Sequence, residues 1–586
     1  MNCEKFNVEN ISILFGGEAG EGIATTGFLC AKLFQRSGLY VFAENDYPSL
    51  IRGGHNFVVV RANTQKIYSL DGKVDILVGF DRRSILQHIC EMNKGGLVVF
   101  DQKFSSEVLE KIKTNNLIAV PLPLSEFAAK LGDPIFINQI SLGAVVKLLS
   151  LDFSLFEKIL NELFAKKGRE VAEKNIQAAK MGYEYISNSA IEKIFSFILP
   201  QQKRSYYLLN GNDAVCLASV KAGVKLVAEY PMSPSSSILH WMAAHSREYN
   251  IVVKQTEDEI AAINYVLGAA YAGVRAMTAT SGGGFSLMVE ALGNAGIAEI
   301  PCVIVEVQRA GPSTGLPTYT DQADLLFTIN ASQGEFPRIV CMPGDPAEAF
   351  YETFNVWNMV ELVQTPGIIL LDKYLAESLY STELKLDNLQ LKRGLLQKDE
   401  DMENAKDFLR HKITPSGISP RAIPGQKNGM HVASSYEHDE SGYTSEDPLN
   451  RVMQIDKRAR KLEAINPQLY QPVFFGPATA PILIVSWGST KGVILEALKH
   501  LNRENIPVRF MHIKYAVPFA TETIKEALLS ASKTIIFEGN STAQMRQYIA
   551  QKTGIIIENV CLKYDARPFR VNQIVQEVKK VYEKSL

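Results

Sequence analysis

The sequence predicts an α/β protein built from several domains. Apolar, strand-like runs alternate with Gly-, Ser- and Thr-rich turns and with helical segments, most clearly between Tyr230 and Asp324. The run Val303–Val307 (VIVEV) is almost wholly apolar, which is typical of a buried strand in a parallel sheet. With 586 residues, the chain is long enough for roughly three or four domains.

Composition and charge are those of an ordinary globular chain. It is 46% hydrophobic and 21% charged, with a net charge of −2, so neither nucleic acid nor an anionic membrane surface is an expected partner. No apolar run approaches the roughly 20 residues that span a bilayer. The charged start of the chain lacks the apolar core of a signal peptide, and the cytoplasm is the expected compartment.

The seven cysteines stand far apart, without a CxxC pair. Disulfide frameworks, zinc sites and iron–sulfur clusters all need several thiols brought together, usually at short spacing. If the protein takes part in one-electron chemistry, its cluster is therefore expected on another chain. The cysteines are Cys3, Cys30, Cys90, Cys216, Cys302, Cys341 and Cys561.

Composition shifts divide the chain into three α/β domains and two connecting segments. The first connection contains a proline and a polar cluster and is predicted to be a linker. The second is rich in Gly, Pro, Ser and charge, and by composition alone resembles a disordered linker. The predicted segments are domain 1–185, linker 186–204, domain 205–375, connecting excursion 376–477 and domain 478–586.

The first domain begins with a strand, a glycine-rich turn and a helix between Ile11 and Gly38. Glycines at 16, 17, 20 and 22 would let the backbone approach a ligand, and the helix would present N–H groups to an anion. Alternatively, these glycines only turn the chain, because their spacing is not the strict GxGxxG pattern. The runs Lys73–Asp81 and Gly95–Asp101 are predicted to be further parallel strands.

Polar residues and glycines follow the strand-like runs of the second domain. They are Ser233 in YPMSPSS, Glu257 in QTEDEIAA, Gly282–Gly284 in TSGGGF and Arg309 in VQRAG. In open α/β sheets, ligands bind in the crevice beyond the carboxyl ends of the strands. We therefore expect these residues to meet in one pocket.

Those stretches, in that order, resemble the α subunit of the 2-oxoacid:ferredoxin oxidoreductases, which use thiamine diphosphate (ThDP). The resemblance runs over nearly the whole chain and is strongest to the 2-oxoglutarate type, whose α subunit often carries a fused γ domain. It implies a γ-type α/β domain, a ThDP-pyrimidine-binding-type α/β domain, an ordered excursion and a transketolase C-terminal-like α/β domain, in that order. In the last domain, Gly488 and Ser489 stand where a ligand could lie, although scaffolding is the favoured role.

The resemblance implies that Glu257 is the catalytic acid, which binds the aminopyrimidine ring of ThDP. A carboxylate in that role must be desolvated and preorganised. Asp258 and Glu259 lie beside it, and all three acids would also be favourable charges at a helix N-terminus. Glu259 is therefore the alternative choice.

Arg309 matches the family's substrate arginine, whose planar fork binds a 2-oxoacid carboxylate through two hydrogen bonds. The alternative is a structural ion pair with Asp321 or Asp324.

Three hydroxyl residues and the glycine run complete the predicted site. Ser233 stands where most members carry threonine, or it merely turns the chain between two prolines. Thr314 and Thr318 are expected to line the same pocket, and Tyr319 stands where some relatives carry Arg or Lys. Gly282–Gly284 would leave room for the pyrimidine ring or the substrate, or would form an ordinary turn before a helix.

In this family the γ domain lies over the coenzyme A side of the active site. Arg52 and His55, which precede a strand-like run, become candidate contacts of the CoA anion or its pantetheine arm. The alternative is an ordinary surface turn.

The family's GDG…N motif, which holds Mg²⁺ and the diphosphate, is not present. The similar tripeptides at 132–134 and 211–213 do not match it. The resemblance thus implies a β subunit that brings Mg²⁺ and a [4Fe–4S] cluster, an active site between chains and an (αβ)₂ assembly. No metal ligands are assigned to this chain.

The predicted reaction converts 2-oxoglutarate, CoA and oxidised ferredoxin to succinyl-CoA, CO₂ and reduced ferredoxin. Pyruvate, branched-chain or aryl 2-oxoacids are alternative substrates for the same chemistry. A non-catalytic structural subunit is the alternative from another class. The acids Glu437, Asp439, Glu440, Glu446 and Asp447 form either a metal site or, as we favour, solvated loop charge.

Overall fold

The computed structural model describes residues 4–49, 54–189, 193–197, 199, 206–403 and 407–583. Its contacts divide the chain into two compact units. The first unit is Met1–Leu209, Ser378–Leu384 and Arg570–Asn572, and the second unit is Asn210–Glu377, Lys385–Phe569 and Gln573–Leu586.

The strands of the described chain run in order from β1 to β22. They are Glu4–Val8 (β1), Asn10–Glu18 (β2), Tyr40–Asp46 (β3), His55–Asn63 (β4), Val74–Gly79 (β5), Met92–Asp101 (β6), Ile118–Leu122 (β7), Lys193–Phe197 (β8), Tyr207–Leu209 (β9), Val224–Glu229 (β10), Val252–Gln255 (β11), Arg275–Thr280 (β12), Cys302–Gln308 (β13), Ile339–Cys341 (β14), Pro366–Asp372 (β15), Leu379–Thr382 (β16), Val473–Phe475 (β17), Ile482–Trp487 (β18), Val508–Ile513 (β19), Tyr515–Val517 (β20), Lys533–Glu538 (β21) and Asn559–Leu562 (β22).

The α-helices of the described chain run from α1 to α20. They are Ile23–Arg36 (α1), Arg82–His88 (α2), Ser105–Thr114 (α3), Leu124–Leu131 (α4), Ile137–Leu148 (α5), Phe153–Phe164 (α6), Arg169–Ser187 (α7), Gly211–Lys221 (α8), Ser236–Tyr249 (α9), Glu259–Tyr271 (α10), Gly282–Ile297 (α11), Leu325–Asn330 (α12), Pro346–Val363 (α13), Lys373–Glu377 (α14), Asp399–Met402 (α15), Pro448–Arg460 (α16), Thr490–Arg503 (α17), Thr521–Ser530 (α18), Gln544–Thr553 (α19) and Val571–Glu583 (α20).

The first unit is organised by an eight-stranded sheet with the order β7-β6-β5-β2-β4-β3-β16-β9. Strands β2, β5, β6 and β7 are parallel, whereas β4 runs antiparallel to β2 and β3. The central strands are apolar and fully covered, as expected for parallel strands with helices on both faces. The predicted parallel strands at 73–81 and 95–101 are confirmed as β5 and β6.

Part of the predicted linker 186–204 is a strand instead. Strand β8 pairs in parallel with β1, from Glu4 opposite Lys193 to Val8 opposite Phe197. Phe195 and Phe197 are buried, so alternating apolar side chains and backbone pairing fix this stretch despite its polar surroundings. The rest of the predicted linker, apart from 186–189 and 199, lies outside the described residues.

The second unit contains two sheets. The larger has the order β11-β10-β12-β13-β15-β14-β20 and is parallel except for β20, while the smaller has the order β17-β19-β18-β21-β22. Strand β13 is buried at every position and lies between β12 and β15, which confirms the predicted buried parallel strand. Because β20 comes from the C-terminal region, the predicted domains 205–375 and 478–586 share one compact unit.

In the larger sheet, the strands that follow β10 along the chain are added first on one side of β10 and then on the other. The chain passes from β10 to its neighbour β11 on one side, and then returns to build β12 on the other side. The loops that leave β10 and β12 therefore diverge and leave a crevice at the carboxyl ends of these strands. This is the position at which the sequence analysis expects the pocket.

The excursion packs on the second unit through buried ion pairs. Lys457 and Lys461 both contact the fully buried carboxylate of Glu299, and His411 Nδ1 lies 3.0 Å from the same group. We call Glu299, His411, His438, Lys457 and Lys461 the Glu299 cluster. In the described chain, Glu299, His411 and His438 have metal-ligand spacing, but the two lysines already neutralise Glu299, so the group is an ion-pair cluster.

The acids of the excursion have structural partners within the chain. Glu437 pairs with Arg451 and Arg458, and these guanidinium groups lower its pKa to about 2. Asp439 accepts the backbone N–H of Ser441 at 2.9 Å, in a tight turn. Loop and cap interactions therefore account for these acids better than metal binding. In the described residues, no helix is long and apolar enough to cross a membrane.

Candidate active site

Four loops of the second unit surround the crevice beside β10 and β12. The loop after β10 carries Ser233, the turn after β11 carries Glu257 and Glu259, and α11 begins directly after β12 with Gly282. Arg309 follows β13. Because these strands are parallel, their carboxyl ends lie at the same edge of the sheet. The predicted convergence of the four stretches is therefore found, but not every side chain points inward.

Arg309 is held by the loop that follows β10. Its Nη1 atom donates a hydrogen bond of 2.7 Å to the carbonyl oxygen of Ser233. The Ser233 hydroxyl is exposed, so this residue contributes its backbone to the contact. Asn212, which is fully buried, fixes the same loop by donating to the carbonyl of Pro234 at 2.9 Å and to Ser237 Oγ at 2.7 Å.

The guanidinium of Arg309 keeps donors available. Among the described residues, it makes no salt bridge within 4.0 Å of an acid, and its Nε is buried without a hydrogen-bond acceptor. Burial lowers the pKa of Arg309, while the negative charges of Asp324 and Glu259 oppose that shift. The alternative of a structural ion pair with Asp321 or Asp324 is therefore not what the structure contains. The arginine is available to bind an anion.

The inward-facing acid of the QTEDEIAA motif is Glu259 rather than Glu257. Glu257 is exposed, whereas Glu259 is only 3% exposed. Helix α10 begins at Glu259, and Asp258 caps it by accepting the N–H of Ala261 at 2.7 Å. Glu259 therefore shares the buried face of the helix with Ala262 at i+3. The expectation that Glu257 is the desolvated acid is wrong, because it precedes the helix and points outward.

Glu259 has an unusual environment for a carboxylate. Its Oε1 atom is buried and has no hydrogen-bond partner in the described chain. Burial raises the pKa of Glu259, the charge of Asp258 raises it further, and Arg309 opposes the shift. A buried acceptor without a donor is rare in folded proteins and costs free energy, so it points to a ligand that donates to this oxygen.

The three glycines at the start of α11 have different surroundings. A Cβ at Gly284 would overlap Thr280 Oγ1 and lie 2.5 Å from Glu259 Oε1, and a Cβ at Gly282 would lie 2.5 Å from Asp324 Oδ2. At Gly283 nothing lies within 4 Å. Gly282 and Gly284 therefore let two carboxyl side chains approach the helix start, and only Gly283 faces open space.

The loop after β13 separates the two predicted threonines. Thr314 is exposed, while Thr318 is 4% exposed and its Oγ1 has no hydrogen-bond partner in the described chain. Tyr319 lies under the guanidinium of Arg567, which is 3.8 Å from the ring centroid. Thr318 thus has a hydroxyl that a ligand could use, whereas Thr314 lies at the surface.

Sequence reasoning overlooked Glu306, although it named Asp324 as a possible partner of Arg309. Glu306 is fully buried in β13, and Asp324 lies directly before α12. A charged residue inside an otherwise apolar strand was the available signal for Glu306, because an acid in that position needs a partner.

The glycine-rich turn of the first unit is closed by its own side chain. The Glu21 carboxylate accepts the N–H of Glu18 at 2.8 Å, and a Cβ at Gly17 would overlap it. Gly22 has φ +78° directly before α1, a conformation that favours glycine. The Glu21 carboxylate therefore lies within the glycine-rich turn and bonds to the end of β2.

His55 belongs to a hydrogen-bonded chain of side chains in the first unit. Its Nε2 lies 2.6 Å from Nε2 of His88, and its Nδ1 lies 3.3 Å from Ser84 Oγ. Burial lowers the pKa of His55, and the neighbouring His88 adds to the shift. His55 is therefore the first residue of β4 and part of a side-chain network, and the alternative of an ordinary surface turn does not describe it. Arg52 lies outside the described residues.

Two protein-family models match the chain. The model described as "Pyruvate flavodoxin/ferredoxin oxidoreductase, thiamine diP-bdg" matches residues 217–457, which include the whole crevice. The model described as "Pyruvate ferredoxin/flavodoxin oxidoreductase" matches residues 12–185. The second match has the same end as the first predicted domain.

Curated relatives match the chain over almost its full length. The 2-oxoacid:ferredoxin oxidoreductase subunit alpha of Sulfolobus sp is 33% identical, with 97% of both chains covered. The 2-oxoglutarate oxidoreductase subunit KorA of Mycobacterium tuberculosis is 28% identical, covering 95% of this chain and 89% of the relative.

A solved structure has the same fold throughout. The 2-oxoglutarate:ferredoxin oxidoreductase of Magnetococcus marinus, with 2-oxoglutarate, coenzyme A and succinyl-CoA bound, is 31% identical, with a TM-score of 0.89. The match covers 98% of this chain and 99% of that one. The chain therefore belongs to the ThDP-dependent 2-oxoacid:ferredoxin oxidoreductases, as an α subunit whose N-terminal part is a γ-like domain.

Proposed function

We propose that this chain, assembled with a β subunit, catalyses the oxidative decarboxylation of 2-oxoglutarate. The products are succinyl-CoA, CO₂ and reduced ferredoxin. The proposal is supported above all by Glu259, a buried carboxyl group beside the start of α11 whose Oε1 has no hydrogen-bond donor among the described residues. The likeness to the M. marinus enzyme, which has 2-oxoglutarate and coenzyme A bound, supports the choice of substrates.

The residues of the crevice fit the pyrimidine half of ThDP. Glu259 Oε1 needs a donor, which a ring nitrogen that carries a proton would supply. The position at Gly283, one residue before the glycine that contacts Glu259 Oε1, has nothing within 4 Å and would leave space for a flat ring. When bound, ThDP supplies the electron sink that makes cleavage beside a 2-oxo carbonyl possible.

In this proposal the buried carboxyl group of Glu259 exchanges a proton with the bound cofactor, away from bulk water. Because burial raises its pKa, the group exchanges a proton with a bound base more readily than a solvated glutamate does. The short α10 cap at Asp258 fixes the start of the helix and so fixes the carboxyl group. Preorganisation of this kind is what a proton transfer in an enzyme requires.

Arg309 binds the substrate carboxylate in this proposal. The hydrogen bond to Ser233 restricts the guanidinium, and its remaining N–H groups match the two oxygens of a carboxylate. Thr318 Oγ1 offers a further donor on the same loop. Arg567 brings a second cation to that loop, beside Tyr319, which favours a dicarboxylate such as 2-oxoglutarate over pyruvate.

The proposed function also requires a diphosphate-binding site and an iron–sulfur cluster, which we assign to partner subunits. A β subunit would hold the diphosphate with Mg²⁺ and would carry the [4Fe–4S] cluster, in an (αβ)₂ assembly. Subunit names among the relatives support a multi-subunit enzyme, and the family name gives ferredoxin as the acceptor. For coenzyme A, His55 remains a predicted contact within the first unit.

The test is a dye-reduction assay with the assembled enzyme. The chain is co-expressed with its β subunit, and CoA-dependent reduction of a viologen dye is measured with 2-oxoglutarate, pyruvate, a branched-chain and an aryl 2-oxoacid. We expect kcat/KM to be highest for 2-oxoglutarate. A higher value for another oxoacid would overturn the substrate, and no reduction with any of them by an intact complex would overturn the enzymatic function.

A further inference from the structure

The loop that carries Arg309 contacts the carboxyl edge of the smaller sheet. This loop connects the end of β13 to the start of α12, and its residue Gln322 is only 3% exposed. The Gln322 side chain reaches the turns that follow β18 and β21. These two strands pair in parallel, so both turns lie at the same edge of the smaller sheet.

All four hydrogen-bonding positions of the Gln322 amide have partners. Nε2 donates to the Trp487 carbonyl at 3.3 Å and to Asp372 Oδ2 at 3.2 Å. Oε1 accepts the Gly539 N–H at 2.9 Å and the Thr490 hydroxyl at 3.2 Å. Because a carbonyl only accepts and a backbone N–H only donates, these partners fix the orientation of the amide. Removal of this side chain would leave several buried polar groups without a partner.

Main-chain contacts hold the same segment of the loop. The Gln322 N–H donates to the Gly539 carbonyl at 2.8 Å, and Asn540 Nδ2 donates to the Gln322 carbonyl at 3.1 Å. Gln544 Nε2 donates to the Ala323 carbonyl at 2.6 Å. The end of β21 and the start of α19 therefore bind both the side chain and the backbone of this segment.

Two glycines of the smaller sheet leave room for the amide. Gly488 has φ +58°, and a Cβ there would lie 2.8 Å from Gln322 Nε2, while a Cβ at Gly539 would lie 3.0 Å from Oε1. Ser489 donates its N–H to Asp372 Oδ2 at 3.4 Å, the same oxygen that accepts from Gln322. Gly488 and Ser489, which the sequence left as possible ligand contacts, thus surround a side chain of the loop.

A hydrogen bond inside the loop connects Gln322 to Arg309. Ala310, the neighbour of Arg309, donates its N–H to the Tyr319 carbonyl at 3.1 Å. Tyr319 follows Thr318 directly and precedes Gln322 by three residues. A shift of Gln322 would therefore move the backbone beside both Arg309 and Thr318.

We propose that Gln322 is a positioning residue, through which the smaller sheet becomes part of the oxoacid-binding site. It holds the loop so that the Arg309 guanidinium and the Thr318 hydroxyl are placed for the carboxylate of the oxoacid. Because its amide is fully engaged within the chain, Gln322 acts through those two residues and does not bind the substrate itself. The role rests on the proposed function.

Three variants test this role. Gln322→Leu nearly keeps the side-chain volume and removes all four amide hydrogen bonds, so KM for the oxoacid should rise roughly tenfold, with kcat lowered less than about threefold and KM for CoA unchanged. Thr490→Val removes one donor from the smaller-sheet side and should raise the oxoacid KM by about two- to threefold. Gln364→Leu is the matched control, because this glutamine is equally buried but donates to the Ser419 carbonyl, outside the loop. It should lower Tm and leave both KM values unchanged.

The experiment measures kcat and KM by dye reduction in the assembled enzyme, together with thermal unfolding of each variant. A purely structural role would lower Tm in Gln322→Leu and Gln364→Leu alike without a selective rise in the oxoacid KM. Wild-type oxoacid KM in a folded Gln322→Leu enzyme, or an equal rise in KM for CoA, would overturn the proposal. If Gln322→Leu does not fold, the oxoacid KM of Thr490→Val decides by the same criteria.

A failure of the proposed function has a different outcome, which is no dye reduction by the intact wild-type complex with any oxoacid. Crystal structures of the full chain then decide the positioning role. We expect residues 309–321 to be displaced in Gln322→Leu, or in Thr490→Val if the former does not fold, and to stay in place in Gln364→Leu. An unmoved loop in the first variant that folds would overturn the proposal.

Discussion

Glu257 and Glu259 are two positions apart in the sequence, but only Glu259 is buried. One carboxyl group lies on the buried face of α10 with an unpaired oxygen, and the other lies at the surface before the helix. Both are acids near a helix N-terminus, so the helix dipole favours both equally. Desolvation is the largest cause of the raised pKa of Glu259, and it depends on which side of the helix start the side chain occupies.

At the residue scale we predict that Glu259→Gln lowers turnover of the assembled enzyme by roughly 10²–10⁴-fold, the usual contribution of a positioned acid or base. Glu257→Gln is the matched control and should retain activity within about twofold, since an exposed carboxylate leaves proton transfer unchanged. Steady-state dye reduction at saturating 2-oxoacid and ThDP measures both. Equal losses in the two variants, or a larger loss at 257, would contradict the assignment.

At the element scale, the start of α11 brings the acids together. Gly282 and Gly284 each leave room for a carboxyl group at the helix start, Asp324 at one and Glu259 at the other. Ser281 precedes the helix and makes no side-chain cap hydrogen bond. The first turn therefore presents its N–H groups and its glycine surface to the crevice instead of closing on itself.

Gly284→Ala is predicted to disturb the site through steric overlap. The new Cβ would collide with Thr280 Oγ1 and press on Glu259 Oε1, so we expect a loss of about 1–3 kcal/mol in unfolding free energy and weaker ThDP binding. Thermal unfolding and ThDP titration of the assembled enzyme measure both effects. Gly283→Ala is the control, with nothing within 4 Å of its Cβ, and should retain the wild-type Tm. Unchanged ThDP affinity in Gly284→Ala would contradict this account of the helix start.

At the scale of the whole molecule, buried charges hold residues 385–477 of the excursion against the rest of the second unit. Glu299, at the end of α11, meets Lys457 and Lys461 from the excursion side, and all three are fully buried or nearly so. Burial lowers the pKa of His411 to about 3, so this histidine is neutral, and burial also lowers the pKa of Lys461 to about 7, while the negative charge of Glu299 opposes both shifts. Removal of one member would leave an unpaired buried charge, which is costly.

Glu299→Gln should therefore cost about 3–5 kcal/mol of stability in the second unit, because two buried lysines would lose their carboxylate. Urea unfolding and limited proteolysis within residues 385–477 measure the loss and locate it. The matched control is Glu126→Gln, which breaks the exposed pair with Lys130 and should cost less than about 1 kcal/mol. A similar small change in both variants would show that the Glu299 cluster does not hold the excursion.

The sequence by itself determined several of the parallel strands and the edge of the sheet at which the site lies. Apolar runs such as Val303–Val307 specify buried parallel strands, and the polar residues that follow them must gather at the carboxyl edge. The motif order also specified the family. These features follow from local periodicity and from the order of motifs, and both can be read from residues that are close together in the sequence.

The tertiary structure alone decided which acid faces inward, that Glu21 closes the glycine-rich turn, and that 193–197 is a strand. It also brought two lysines to Glu299. Each of these depends on segments that are distant along the chain but adjacent in space, and on the water that their packing excludes. Desolvation and long-range pairing are properties of the folded chain, so a local pattern does not contain them.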